Sequence, residues 1–121
     1  MDQPVAKISK KDIQKIIERD YPPGNEEEIV GILCQYNSNN ETDKFRVWAA
    51  LLKLSDGKIE ILKEKIEIAK TDCRDILAVA EYPEYSEKVG FESEKFSEKE
   101  LNHIIKSDWN QYQNWLKARK Y

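Results

Sequence analysis

The chain of 121 residues has little of the chemistry that metal and redox sites need, with two cysteines and one histidine. A structural zinc site takes about four Cys, His or carboxylate ligands arranged in local pairs, whereas Cys34, Cys73 and His103 stand far apart. We therefore expect no metal, no cofactor, and two buried free thiols that act as small apolar side chains. His103 belongs to a charged helical segment, where we expect a partly exposed side chain.

Glycine and long apolar runs are also scarce, which removes two further classes of function. None of the four glycines belongs to a loop of the kind that cradles phosphate ahead of a helix, so nucleotide binding has no support. No apolar stretch approaches the roughly 20 residues that cross a bilayer, and the first residues lack the apolar segment of a signal peptide. We expect a cytoplasmic protein that is not an enzyme and has no catalytic residues.

Charge is abundant, at 36% of residues, but its two signs are unevenly distributed. Residues 5–19 carry five basic and two acidic side chains, and residues 97–121 carry five basic and three acidic ones. Between them, residues 20–96 carry ten basic and seventeen acidic side chains. An acidic middle argues against a phosphate-binding face there, and each basic end alone is too sparse to predict one.

Apolar residues dominate one segment, residues 45–54, in which eight of ten side chains are apolar. A helix that is apolar on nearly all sides is normally buried by its neighbours, so we predict a central helix with Trp48 in the middle of the fold. No segment shows the alternating pattern of a strand. We predict an all-α single domain, residues 1–121, of five or six helices arranged as an irregular bundle or a short stack of antiparallel helix pairs.

Capping and breaking residues mark the ends of these helices. Ser9 and Ser97 each have an acidic residue three positions later, which is the spacing of a capping box, and Thr42 is the expected cap of the central helix. Residues 83–96 are predicted to be irregular. The other boundaries are predicted at residues 22–24, a polar loop over 37–40, residues 55–57, Asp72 and Pro83.

Tyrosine and tryptophan are enriched in the C-terminal third, and both are common at binding hot spots as well as in cores. Trp109, Tyr112 and Trp115 share a stripe with leucine and isoleucine, which favours the core for them. Pro83 takes the chain out of its helix, so the tyrosines beside it either face outward or fasten this loop to the last helix. We expect an exposed interaction patch suited to a basic partner, comprising Tyr82, Tyr85, Tyr112, Glu81 and Glu84.

The turn at residues 54–58 leaves open a DNA-binding regulator that uses the helix pair around Gly57. The second helix of that pair is nearly neutral and has no arginine that could reach a guanine edge, and two antiparallel helices explain the same residues. We expect instead a non-enzymatic protein-interaction module, such as an adaptor or an immunity-type protein. Its expected partner is another protein, and neither nucleic acid nor membrane is expected.

Two stretches, LLKLSDG at 51–57 and AKTDCRDILAVAEYPEY at 69–85, carry a recognisable pattern. They resemble a family of small all-helical bacterial proteins with the pattern LKLS-x-G…AK-x-D-x-RD-x-LA-x-AEYP. The resemblance covers about residues 47–85. It implies a bacterial origin and a unit formed by the two helices with the following turn. That family has no assigned activity, so the resemblance supplies no catalytic residues.

Overall fold

The computed structural model describes residues 7–36, 41–90 and 92–118, which form six α-helices and one 3₁₀ turn, with no strand among these residues. This arrangement confirms the predicted all-α fold. The polar loop predicted over 37–40 lies outside the described residues. The elements are α1 (Lys10–Asp20), α2 (Glu26–Leu33), α3 (Glu41–Ser55), α4 (Ile59–Glu81), α5 (Pro83–Lys88), the 3₁₀ turn (Ser93–Lys95) and α6 (Glu98–Lys117).

The central helix predicted from the apolar segment is α3. Residues 47–52 are all buried, and the most exposed of them, Trp48, has only 7% of its surface accessible. α3 makes its most extensive contact with α4, to which three residues join it, and it also packs on α1. α3 and α4 therefore form an antiparallel hairpin, and the other helices complete the core around it.

Both serine caps predicted from the sequence are present. The Ser9 hydroxyl accepts from the Asp12 N–H at 3.2 Å, and the Asp12 carboxylate accepts from the Ser9 N–H at 2.9 Å. The Ser97 hydroxyl accepts from the Glu100 N–H at 3.1 Å. The Glu100 carboxylate in turn accepts from the Ser97 hydroxyl, where a full capping box would have it accept from the Ser97 backbone N–H. Thr42 lies inside α3, one position past its first residue, so the prediction that it caps this helix is wrong.

α4 contains both of the helices predicted on either side of Asp72. The backbone at Asp72 is extended, with φ −154° and ψ 102°, so α4 kinks there. The Asp72 carboxylate accepts from the Arg74 N–H at 3.0 Å and from the Arg74 guanidinium at 2.9 Å. These hydrogen bonds lower the pKa of the Asp72 carboxyl from its ordinary value. Asp72 therefore caps the second half of α4, as predicted.

The prediction that residues 83–96 are irregular is wrong, since α5 and the 3₁₀ turn lie within them. Proline suits the first turn of a helix because it has no N–H that needs a partner. The cap of α5 comes from α6, where the Asp108 carboxylate accepts from the N–H groups of Glu84 at 3.0 Å and Tyr85 at 2.9 Å. Because this cap lies 24 positions away in the chain, the residues around α5 carry no signal for it.

The turn between α3 and α4 packs directly on the end of α1. Gly57 has φ +78°, a conformation that favours glycine, and a Cβ added there would lie 2.5 Å from the backbone O of Asp20. Tyr21, the residue after Asp20, is 3% exposed, and burial raises the pKa of its phenol to about 12. The turn is therefore part of the packed body.

We expect Gly57→Ala to lower the free energy of unfolding by about 2 kcal/mol, since it adds backbone strain and forces a steric overlap. Gly24→Ala is the matched control, because Gly24 has φ +94° but no atom within 4 Å of an added Cβ. Urea denaturation of both variants compares the cost of backbone strain alone, in Gly24→Ala, with the cost of strain and steric overlap together, in Gly57→Ala. Equal losses in the two variants would contradict the close packing of the turn.

Candidate functional site

The residues of the expected interaction patch lie mostly inside the protein. Tyr82 is 8% exposed, Tyr112 1% and Glu81 4%, while Tyr85 and Glu84 are half-buried. The prediction that these five residues form an exposed patch is therefore wrong. Tyr112 belongs to the stripe of α6 that faces the core, and the cap on α5 holds the chain against α6 where the sequence suggested a departing loop.

Glu81 and Arg46 form an ion pair that joins the end of α4 to α3. The guanidinium donates from Nε at 2.9 Å and from a terminal nitrogen at 2.7 Å to the two carboxylate oxygens. The Glu81 side chain is 5% exposed and the Arg46 side chain 22%. Tyr112 lies nearby, and burial, reinforced by the charge of Glu81, raises the pKa of its phenol. Glu81 is thus unavailable as an acidic rim for a basic partner.

Asp108 is the second buried carboxylate of the protein's described part, with 2% of its residue surface exposed. Burial raises the pKa of its carboxyl, and the two N–H groups of α5 and the charge of Lys53 oppose that change. Lys53 is itself half-buried, so its pKa is lowered, and its ammonium lies 6.0 Å from the ring centroid of Tyr112. Both Asp108 oxygens are used in capping α5, which indicates a structural role.

A polar cleft of about 510 Å³ runs along the exposed side of α6. Beside it, Lys88 donates to the Glu84 carboxylate at 2.9 Å, and together with the nearby Ser107 hydroxyl it lowers the pKa of that carboxyl. His103 is exposed here, as the sequence suggested. No buried polar group among the cleft residues points to a particular ligand. The lining consists of His103, Lys106, Ser107, Asn110, Gln111 and Asn114.

The described residues contain no group of three or more His, Cys, Asp or Glu side chains placed to hold a metal ion. Cys34 is exposed and Cys73 is half-buried, and both are free thiols. The prediction that both are buried is wrong, because α2 ends at Leu33 and Cys34 lies just beyond its last turn.

None of the described helices is both long enough and apolar enough to cross a membrane.

α1 and the C-terminal end of α6 meet through Arg19. Its guanidinium donates to the backbone O atoms of Trp115 at 2.6 Å and Ala118 at 3.0 Å, and it stacks 5.0 Å from the centroid of the Trp115 ring. The Asp20 carboxylate pairs with the same guanidinium at 2.7 Å. Carbonyl groups at a helix C-terminus carry partial negative charge, so Arg19 both caps α6 and joins it to α1.

This junction places the lysines of α1 beside the end of α6. Lys15 and Lys117 line one groove of about 750 Å³, together with Asp12, Glu18 and Leu116. The sequence could not indicate this surface, because α1 and Lys117 are far apart in the chain and only the fold brings them together. We call it the α1–α6 basic face, and its exposed members are Lys7, Lys10, Lys11, Lys15 and Lys117.

Two further groups of exposed carboxylates lie on α2 and α4. Three stand at the start of α2, and three more line the first half of α4. Glu28 and Lys63 approach within 3.8 Å, which shows that these two acidic stretches are neighbours. The start of α2 is uniformly acidic, whereas exposed lysines alternate with the carboxylates of α4; the six acidic positions are Glu26, Glu27, Glu28, Glu60, Glu64 and Glu67.

No family model, curated protein or solved structure matches the chain. The resemblance to the small bacterial proteins therefore stays a prediction, and a functional assignment depends on the surfaces described above.

Proposed function

We propose that the protein is a non-enzymatic protein-interaction module that binds an acidic surface of its partner through the α1–α6 basic face. The observation that carries this proposal is that Arg19 joins the lysine-bearing α1 to the end of α6 at Lys117, in a chain whose net charge is −3. Complementary potentials of this kind steer association and discriminate among partners. An acidic partner replaces the basic partner expected from the sequence, since Glu81 is buried and Glu84 is paired with Lys88.

The lysines of α1 differ from those of an ordinary solvated helix. On α4, Lys63 approaches Glu28 and Lys70 pairs with Glu67, so positive charge is offset locally. Within the described part of the chain, Lys7 and the three lysines of α1 form no salt bridge. Their charges are therefore available to an acidic partner at little cost in existing contacts.

The roles of the buried carboxylates support the non-enzymatic part of the proposal. General acid–base catalysis needs a titratable group within hydrogen-bond reach of a substrate. Glu81 is committed to Arg46, and Asp108 is committed to the N-terminus of α5. Both groups hold helices together, and neither lines either of the two clefts described above.

No observation favours the DNA-binding alternative around Gly57. α3 and α4 run antiparallel, whereas the helices of a helix-turn-helix cross steeply, and the turn packs against Asp20. The exposed side of α4 carries Lys63 and Lys70 among Glu60, Glu64 and Glu67, so it offers DNA phosphates no excess of positive charge. Because phosphates are also acidic, duplex DNA is included in the test of the basic face.

The test compares the wild type with two triple variants of equal charge change. The first, Lys10→Glu/Lys11→Glu/Lys15→Glu, reverses the basic face. The control reverses three exposed lysines elsewhere, each of which has an acidic neighbour: Lys63→Glu/Lys70→Glu/Lys95→Glu.

The immobilised proteins are incubated with a nuclease-treated lysate of the source cells, and the retained proteins are identified by mass spectrometry. We expect a protein that the wild type and the control retain, that the basic-face variant loses, and that elutes as salt rises from about 0.05 M to about 0.5 M. The purified partner should bind the basic-face variant at least about tenfold more weakly.

The proposal is contradicted if the basic-face variant and the control lose the retained protein to the same extent, or if neither variant loses it. Tight, salt-sensitive binding of a fluorescent DNA duplex to the wild type, abolished only in the basic-face variant, would replace the protein partner with nucleic acid. Melting curves of all three proteins verify that the substitutions leave the fold intact.

A further inference from the structure

α5 is a short helix that contributes no buried residue to the core. The residues just before and after it are buried, with Tyr82 8% and Val89 3% exposed. A helix of six residues has no stability of its own in water. The position of α5 therefore depends on its contacts with α4 and α6.

Three hydrogen bonds supply specific contacts of this kind. The Asp108 carboxylate of α6 accepts from the N–H groups of Glu84 and Tyr85 at 3.0 and 2.9 Å. The Ser86 hydroxyl donates to the backbone O of Ala78 in α4 at 3.0 Å. Two of these three bonds end on Asp108, so Asp108 makes the principal polar attachment.

The two ends of α5 have backbone conformations that suit hinges. Tyr82 stands between α4 and α5 with φ −130° and ψ 56°, outside the helical region. Gly90 follows Val89 with φ +56°, and a Cβ added there would meet no atom closer than 3.8 Å. Hinges of moving segments are a few such residues at the ends of elements.

We infer that α5 is a strap that opens as a unit between Tyr82 and Gly90, with Asp108 as the latch that holds it closed. Opening would expose the Asp108 carboxylate together with Tyr82 and Tyr85, three groups that the closed form buries or half-buries. The aromatic and acidic residues that the sequence suggested as a patch would thus become accessible in the open form only. This inference is independent of the α1–α6 basic face.

The charges around Asp108 determine how pH acts on the latch. Lys53 of α3 and Lys88 of α5 attract the carboxylate, Glu84 of α5 repels it, and the phenol of Tyr82 also lies close enough to interact. Burial outweighs these influences and raises the pKa of the Asp108 carboxyl in the closed form. An open strap would return this carboxyl toward its ordinary pKa.

The sign of the pH effect follows from this difference. A carboxyl with the higher pKa in the closed form binds its proton more tightly when closed. Acidification therefore favours the closed strap through Asp108, and a rise in pH through that pKa favours opening. Above that pKa the carboxyl is ionised in both forms, and its influence on the equilibrium becomes constant.

Amide hydrogen exchange of the full chain, followed by NMR at several low urea concentrations, tests the strap. In the wild type we expect the amides of residues 84–89 to exchange through a local opening whose rate hardly depends on urea. The amides of residues 49–52 in α3 should exchange through global unfolding, with a strong dependence on urea. Equal urea dependence of the two groups would overturn the inference without any substitution.

Substitutions then test the latch itself. Asp108→Ala should accelerate exchange across residues 84–89 by at least about tenfold, beyond any change in α3, and Asp108→Asn should give a smaller acceleration because it keeps one acceptor. Glu84→Gln is the control, since it weakens the interactions of this side chain with Lys88 and Ser107 but keeps the backbone N–H bonds to Asp108. Acceleration by Glu84→Gln equal to that of Asp108→Asn, or none in either Asp108 variant, would refute the latch.

Discussion

Trp48→Ala is expected to lower the free energy of unfolding by about 3–5 kcal/mol, a large fraction of the stability of a small domain. Trp48 lies in the buried part of α3, and its ring packs edge-on against Phe45 with centroids 5.5 Å apart. The indole N–H also donates to the backbone O of Tyr36 at 3.3 Å. The substitution removes these contacts and leaves a cavity beside the hairpin of α3 and α4.

Urea denaturation followed by far-UV circular dichroism measures this loss without depending on tryptophan fluorescence. Trp109→Ala serves as the control, because Trp109 is only half-buried on α6 and its truncation should cost less. An unchanged unfolding midpoint for Trp48→Ala would show that α3 is not the centre of the core.

Glu81→Gln is expected to cost about 3 kcal/mol, because it leaves the positive charge of a largely buried Arg46 without its bidentate carboxylate. Arg46→Met should cost a similar amount, since it leaves the Glu81 charge buried without its guanidinium. The double variant Arg46→Met/Glu81→Leu should lose less unfolding free energy than the sum of the losses in Arg46→Met and Glu81→Leu. It removes both charges and therefore both desolvation penalties.

A double-mutant cycle, built from the unfolding free energies of these variants with Glu81→Leu as the second single change, measures the coupling between the two side chains. We expect a coupling of at least about 1 kcal/mol that changes little with added salt, since buried pairs are weakly screened. Additive single effects, or a coupling that disappears at about 0.5 M salt, would indicate a pair that behaves as if exposed.

Local sequence patterns predicted those parts of the fold whose determinants lie within about one helical turn. The caps at Ser9, Asp72 and Ser97 are of this kind, because each side chain bonds to a residue two or three positions later. The buried central helix also followed from composition alone. No such signal marks α5, whose cap is Asp108 in another helix.

One local sign of that cap exists in the sequence. Asp108 falls on the same stripe of α6 as Ile104 and Tyr112, where a carboxylate needs a hydrogen-bond donor once it is buried. The sign shows that a donor is required but not which segment supplies it. The basic face escaped prediction for a similar reason, since the lysines of α1 and Lys117 become neighbours only through the contacts of Arg19.

The hydrogen bond from Arg19 to Trp115 closes a loop of 96 positions, whereas the hairpin of α3 and α4 is closed by a turn of three residues. Chain entropy makes the short closure favourable early in folding and delays the long one until the core can compensate for it. We therefore expect α1 and the end of α6 to associate last as the chain folds. A change that weakens their junction should separate the lysines of the two segments while the hairpin remains folded, so partner recognition would be lost before the native core.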